Sequence, residues 1–204
     1  VQTSKNKIEN KILKSPRGIL FFAEDFTNYG TPENIRQVLS RLEKESVLVR
    51  LAHGIYVKPK IDPLLGTILP TAEHVAVEIS KRDKSRIAPT GVLALNLLGL
   101  STQVPMNAVY LTDGSQRIVK IGKRTIRFKK AAPRNFAIKD ELLHLIVQAM
   151  KVTGQKETTD DFLDRIKPFV QKLNPAVIKT QLKYGPVWIQ KEIMKLYKNQ
   201  TDVD

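Results

Sequence analysis

Three histidines, one tight group of carboxylates and two clusters of Lys and Arg are the side chains in this sequence whose chemistry could carry a function. His53, His74 and His144 are the only imidazoles, and no two of them share a helical turn or a strand face. That spacing offers no local pair of histidine ligands, and only convergence of all three from a distance would bring them together. Cysteine is absent, which removes disulfides, thiol nucleophiles, redox pairs and every zinc site that needs a thiolate. Asp160, Asp161 and Asp164 form the tightest acidic group. Asp161 and Asp164 can share a helix face, as a metal-dependent nuclease or transferase would need. First-turn carboxylates that offset a helix dipole account for the same spacing. There is no GxxxxGK[ST] phosphate loop, no GxGxxG opening a strand–helix unit and no GxSxG elbow. Ser101 and Thr102 have no neighbouring base, and His144 lies in an apolar run that suits a packing histidine. The expectation is a protein that is not an enzyme, with no catalytic residues, no metal and no cofactor.

The basic residues say more. Thirty-four Lys and Arg against 20 Asp and Glu leave a net charge of +14 on 204 residues. Residues 1–60 carry +5 (11 basic, 6 acidic), residues 61–135 carry +7 (12 basic, 5 acidic), and residues 136–204 only +2 (11 basic, 9 acidic). Such a field attracts a polyanion or an acidic partner protein, through steering and counterion release. With 42% hydrophobic residues and 26% charged, the chain can build one large or two small packed domains. No apolar run approaches the length of a membrane span, and residues 1–15 lack the apolar core of a signal peptide. The expected location is cytoplasmic, with no membrane partner.

Two elements have to position the cations of the first sixty residues. Thr31 reads as the N-cap and Pro32 as the first residue of a helix whose Ile35, Val38, Leu39 and Leu42 recur at the helical period. Gln37, Ser40 and Lys44 lie opposite that apolar stripe, and Arg36 and Arg41 flank it. Residues 46–52 and 54–59 are β-rich runs joined through His53-Gly54, which predicts a tight ribbon bearing Arg50, His53, Lys58 and Lys60. Upstream, Ile8 and Ile12 share one face of a helix over 4–14, and residues 18–26 hold an apolar run and a compact second helix. This order predicts a winged helix-turn-helix over 1–60. One helix fits the major groove, and the hairpin reaches the adjacent backbone or minor groove. The candidate DNA-binding residues are Thr31, Arg36, Gln37, Ser40, Arg41, Lys44, Arg50, His53 and Lys58. The competing reading is an ordinary solvated face on a helix–hairpin unit.

Pro63, Gly66 and Pro70 predict a linker over 61–70, its leucines lying against a domain. Residues 71–204 predict an α+β domain with a small antiparallel sheet and C-terminal helices. A helix starts at Thr71, an extended piece covers 86–90, and Thr90 caps an apolar helix ending at Gly99. A three-stranded meander over 109–112, 116–122 and 124–130 lies within a basic sheet at 108–130. Ile118, Ile126 and Phe128 are its apolar positions, and Arg127 and Lys129 point away from the last two. Between Ser115 and Arg134 there are eight basic residues and no acidic one: Arg117, Lys120, Lys123, Arg124, Arg127, Lys129, Lys130 and Arg134. This secondary basic surface suits a phosphate backbone or an acidic partner, and a solvated sheet face is the bland alternative. Residues 136–200 are helical: Leu142, Leu145, Ile146 and Ala149 form a stripe, Thr158 and Asp161 a capping box, and Asn174-Pro175 a cap with its N1 proline.

The stretch Gly18–Pro59, with Leu39-Ser40-Arg41-Leu42 and Arg50-Leu51-Ala52-x-Gly54-Ile55-Tyr56, together with residues 88–114 and Arg124–Lys130, resembles the AbiEi-like antitoxins of bacterial type IV toxin–antitoxin systems. The blocks span roughly residues 18–130; the helices beyond about 136 match nothing comparable. The resemblance implies an N-terminal winged helix that binds an inverted-repeat operator in double-stranded DNA and represses its own operon. It also implies a C-terminal domain that counteracts a nucleotidyltransferase-like toxin without a stable complex, as in phage defence. The residues it carries over are those of the 32–45 helix and the 47–58 hairpin for DNA, with Ala88-Pro89-Thr90-Gly91 and Tyr110-Leu111-Thr112 as scaffold. It brings no catalytic residues. The alternative function is a non-enzymatic protein-interaction adaptor of a defence or mobile-element system, docking an acidic partner on the basic sheet.

Overall fold

Thr31 and Pro32 start the second helix where the sequence puts them, and the same rules of capping and apolar periodicity shape most of the other helices. The computed structural model describes residues 4–103 and 105–201. By its own packing the chain divides into two compact units, residues 1–79 with 119–125 and residues 80–118 with 126–204.

In the first unit, α1 (Ser4–Lys14) is followed by β1 (Leu20–Phe22), a 3-10 helix (Ala23–Tyr29) and α2 (Pro32–Lys44). Then come β2 (Val49–Ala52) and β3 (Ile55–Val57), and β1 joins them in an antiparallel sheet of order β1-β3-β2. Thr31 accepts a hydrogen bond from the Asn34 N–H at 3.4 Å and caps α2. Ile35, Val38, Leu39 and Leu42 are buried against Ile8 and Ile12 of α1, with Phe21, Phe26, Leu48 and Tyr56 completing the core. The ribbon turns at His53-Gly54, where φ of +68° suits glycine, and a bulge lies between Arg50 and Ala52.

Residues 61–70 are not a linker. β4 (Lys60–Asp62) and β5 (Gly66–Ile68) form a second antiparallel hairpin. Asp62 starts its turn by accepting the N–H groups of Leu64 and Leu65 at 2.8 and 2.9 Å, and Gly66 closes it at φ +73°. Those hydrogen bonds hold the Asp62 carboxyl below its ordinary pKa. Leu64 and Leu65 stand out at the hairpin tip, 95% and 79% exposed, rather than lying against a domain. α3 (Ala72–Arg82) comes next, with Thr71 accepting the His74 N–H at 3.2 Å.

The second unit holds β6 (Ile87–Pro89), α4 (Val92–Leu97), β7 (Asn107–Thr112), the first two residues of β8 (Arg117–Ile121) and most of β9 (Arg124–Lys130). The sheet has four strands in the order β6-β7-β9-β8, not a three-stranded meander. β9 is the longest of the four and takes an inner position. Its Ile126 and Phe128 are buried, and the Phe128 ring stacks on Tyr110 of β7 at 6.1 Å. The apolar face of β8 is also displaced by one residue from expectation. Val119 is 9% exposed and Ile118 is 55% exposed, because a strand buries alternate residues and Val119 takes the inward phase.

Four α-helices follow among the described residues of this unit: α5 (Glu141–Thr153), α6 (Asp160–Gln171), α7 (Pro175–Gln181) and α8 (Val187–Thr201). Their core includes Leu143, Ile146, Met150, Ile166, Ile189 and Ile193. α5 packs against α4, α6 and β6, which buries Leu143, His144 and residues 146–150, with Leu142 and Leu145 half-buried and its two ends exposed. Asn174 caps α7 by accepting the Ala176 N–H at 2.8 Å. Thr159, not Thr158, caps α6; the Thr158 hydroxyl donates to the Gly154 carbonyl at 2.7 Å. Thr90 is likewise not the cap of α4. Its hydroxyl donates to the buried Gln148 Oε1 at 2.9 Å, and Gly91 occupies the cap position.

Candidate nucleic-acid interface

α2 presents its polar face by default, because every large apolar side chain on it is turned into the first unit's core. Arg36, Gln37 and Lys44 are exposed, and Ser40 is half-buried beside them. On the ribbon, Arg50 and His53 are exposed and touch, with Arg50 Nη2 3.3 Å from His53 Nδ1. Arg50 Nε also donates to the Ala52 carbonyl at 3.4 Å, which orients the guanidinium along the ribbon.

Tyr56 links the helix face to the ribbon. It pairs with Arg50 across the β2–β3 hairpin, and its ring is buried in the core. Burial pushes the Tyr56 phenol above its ordinary pKa; Arg50 pulls it back, Glu43 adds to the rise and Arg36 opposes it. An arginine of α2 and an arginine of β2 therefore act on the same phenol. Arg36 and Gln37 on α2 and Arg50 and His53 on the ribbon are thus exposed polar groups of one unit, with Arg50 and His53 in contact. Such groups can hydrogen-bond phosphates, and Gln and Arg can read the edges of bases.

Three of the expected DNA contacts have other work. Arg41 forms an ion pair with Glu9 of α1 and lies 3.8 Å from Glu45, so it ties the two helices together. Lys58 is folded inward: its ammonium donates to the carbonyls of Leu13, Ser15 and Ile12 at 2.6, 2.7 and 3.2 Å, at the end of α1. The open carbonyls of a helix C-terminus attract a cation, and a lysine just past the ribbon can reach them as easily as solvent. Thr31 spends its hydroxyl on capping. The sequence held a signal for Arg41, an acidic residue on the facing helix. For Lys58 it held none, since the pairing with Leu13 spans 45 residues.

The secondary basic surface also divides. Arg117 pairs with Asp83 and lies over the Phe128 ring at 5.5 Å, so it is a packing residue of the second unit. Lys120 and Lys123 are exposed and Arg124 is half-buried. In the second unit Arg127, Lys129, Lys130 and Arg134 are exposed and pair with no carboxylate among the described residues. Arg127 and Lys129 share the outer face of β9, opposite Ile126 and Phe128. Asp113, by contrast, binds the Arg86 side chain at 2.7 Å and its N–H at 2.7 Å, which holds the carboxyl below its ordinary pKa.

His144 is buried, and its Nε2–H donates to the Pro89 carbonyl at 3.1 Å. Burial lowers its pKa, the Pro89 carbonyl partly opposes this, and Lys151 adds to the lowering. It bridges α5 to β6. Asp160 and Asp161 lie in the first turn of α6, and no group of three or more potential metal ligands occurs among the described residues. No helix among those residues is long and apolar enough to cross a membrane.

Residues 7–178 match the family described as a family of unknown function, DUF6088, and the chain belongs to it. No curated protein sequence matches the chain. The crystal structure of the RV2827C protein from Mycobacterium tuberculosis is similar to it, with a TM-score of 0.52 over 94% of this chain and 75% of that one. At 15% sequence identity the likeness is one of mixed α+β fold.

Proposed function

We propose that this member of DUF6088 is a sequence-specific DNA-binding repressor whose first unit is a winged helix-turn-helix, with α2 as the recognition helix and the β2–β3 ribbon as the wing. The observation that carries this reading is a pair of exposed arginines, Arg36 of α2 and Arg50 of the ribbon, that act on the same buried phenol, Tyr56, with Gln37 exposed next to Arg36 in sequence and His53 in contact with Arg50. A rigid helix offering an amide and an arginine suits base edges in the major groove, and the ribbon cations suit the adjacent phosphates. The exposed cations of β9, in the other unit, are a second positive surface that would attract a polyanion.

The resemblance to AbiEi-like antitoxins supports a toxin–antitoxin operon as the setting of this repressor, with a nucleotidyltransferase-like protein as the toxin it counteracts. Support for that part rests on the Gly18–Pro59 and 88–114 sequence blocks. A cytoplasmic location belongs to the same reading. The test is a reporter fused to the DNA upstream of the chain's own gene. Expression of the protein should silence it, and the Arg36→Ala/Gln37→Ala variant should not. Co-expression with the product of the adjacent gene should then restore growth where that product is toxic. A reporter that ignores the protein would remove the repressor reading, and unrescued growth would remove the antitoxin part alone.

A further inference from the structure

We propose that a cleft in the first unit, between residues 17–20, the end of β5 and the start of α3, binds a small amphipathic organic monoanion: an acid head on an aliphatic or aromatic body. The cleft has a volume of about 490 Å³, within the range of ligand sites on proteins. Its wall is apolar, made by Ile19, Leu20, Ile68, Leu69 and Pro70. Ile19, Ile68 and Leu69 keep 41–47% of their surface in water there. An apolar body laid against them would remove that surface from solvent.

The rim supplies the charge preference. Arg17, Lys60 and His74 face the same cleft as a single carboxylate, Glu78. Arg17 is held in place by donating from Nη1 to the Pro59 carbonyl at 3.1 Å, which leaves its other N–H groups for a ligand. The Lys60 stem lies against Gly18, so closely that a Cβ there would come within 2.6 Å of Lys60 Cε. Gly18 also sits at φ +92°, so glycine alone admits this approach without strain. The first turn of α3, capped by Thr71, opens on the same side and adds the positive end of its dipole. Two positioned cations favour an anion, Glu78 disfavours a second negative charge, and the apolar wall disfavours a bare inorganic ion. This site is independent of the DNA reading, since it uses none of Arg36, Gln37, Arg50 or His53.

The test uses the full chain and 8-anilinonaphthalene-1-sulfonate, an aromatic monoanion whose fluorescence rises on binding. The expected result is a saturable, single-site rise that sodium octanoate reverses and octanol at equal concentration does not. Lys60→Glu should weaken the probe about tenfold or more, and Leu69→Glu should do the same from the apolar wall. Circular dichroism melts matching the wild type show that both variants fold. Leu64→Ser/Leu65→Ser, at the exposed hairpin tip, should leave binding unchanged. Wild-type binding by Lys60→Glu, loss of the signal in the hairpin-tip variant, or a rise that never saturates would each overturn the site. Phosphatidylglycerol vesicles distinguish a lipid surface from a free acid. Co-sedimentation that depends on Lys60, with no displacement by octanoate, would overturn the small-acid assignment.

Discussion

The Lys58 ammonium lies 2.6 Å from the Leu13 carbonyl, and so the end of the ribbon closes the C-terminus of α1. The ammonium also reaches the Ser15 carbonyl just past α1 and the Ile12 carbonyl, which accepts the Ser15 N–H as well, so three acceptors at the helix end converge on one cation. The ribbon is thereby anchored at its base, while Arg50 and His53 toward its tip stay exposed.

Replacing Lys58 by methionine keeps the stem and removes the cap. The expected loss is about 1–2 kcal/mol of stability, read from urea denaturation. The salt dependence of DNA binding should not move, whereas Arg50→Ala should lower its slope by about one unit. A normal stability for Lys58→Met together with a reduced slope would return Lys58 to the phosphate contacts.

Gln37 and Arg41 lie four residues apart on α2 and should fail differently. Gln37→Ala should cost roughly 1–3 kcal/mol on operator DNA, little on scrambled DNA, and nothing in stability. Arg41→Ala leaves Glu9 without its partner and should lower the melting temperature, with a similar effect from Glu9→Gln. Equal losses on both DNAs for Gln37→Ala would end its role as a base reader.

The folded unit lowers the His144 pKa below the ordinary value near 6.5, so the unfolded chain binds the proton more readily. Stability contributed by neutral His144 is complete above that value. It is lost as pH falls from there through the lower folded value. The second unit should therefore melt at lower temperature at pH 5 than at pH 7.5, and His144→Gln should flatten the difference. A pH-independent melt in the wild type would mean that His144 is not held neutral by burial.

Charge reversal on β9, Arg127→Glu with Lys129→Glu, should weaken DNA binding about tenfold at low salt and leave the far-ultraviolet spectrum unchanged. Arg117→Glu should instead destabilise the second unit, because it breaks the pair with Asp83 and uncovers Phe128. Full DNA binding by the β9 variant would confine the interface to the first unit, and failure of that variant only against a toxin would assign the face to the partner.

What the sequence made legible was local. Thr31-Pro32 and Asn174-Pro175 are caps whose chemistry is complete within four residues, and the Ile35–Leu42 stripe can face only a core. What it hid was non-local. Lys58 reaches a helix end 45 residues earlier, and Thr90 reaches Gln148 58 residues on. Strand order is of the same kind, since β9 displaces β8 from the middle of the sheet by pairing with β7. The β4–β5 hairpin is local too, with Asp62-Pro63 and Gly66 as its turn residues, but the prolines around it suit a linker equally well. The phase of β8 differs from expectation because Ile118 and Val119 are both apolar and Val119 takes the inward position.

Fluorescence anisotropy on a labelled duplex from the region upstream of the chain's own gene, against a scrambled duplex at about 150 mM salt, tests the central claim most directly. A sequence-specific repressor binds the upstream duplex at least about a thousandfold more tightly and loses most of that margin in Arg36→Ala/Gln37→Ala. Equal affinity for the two duplexes, or a margin that survives the double substitution, would contradict that claim.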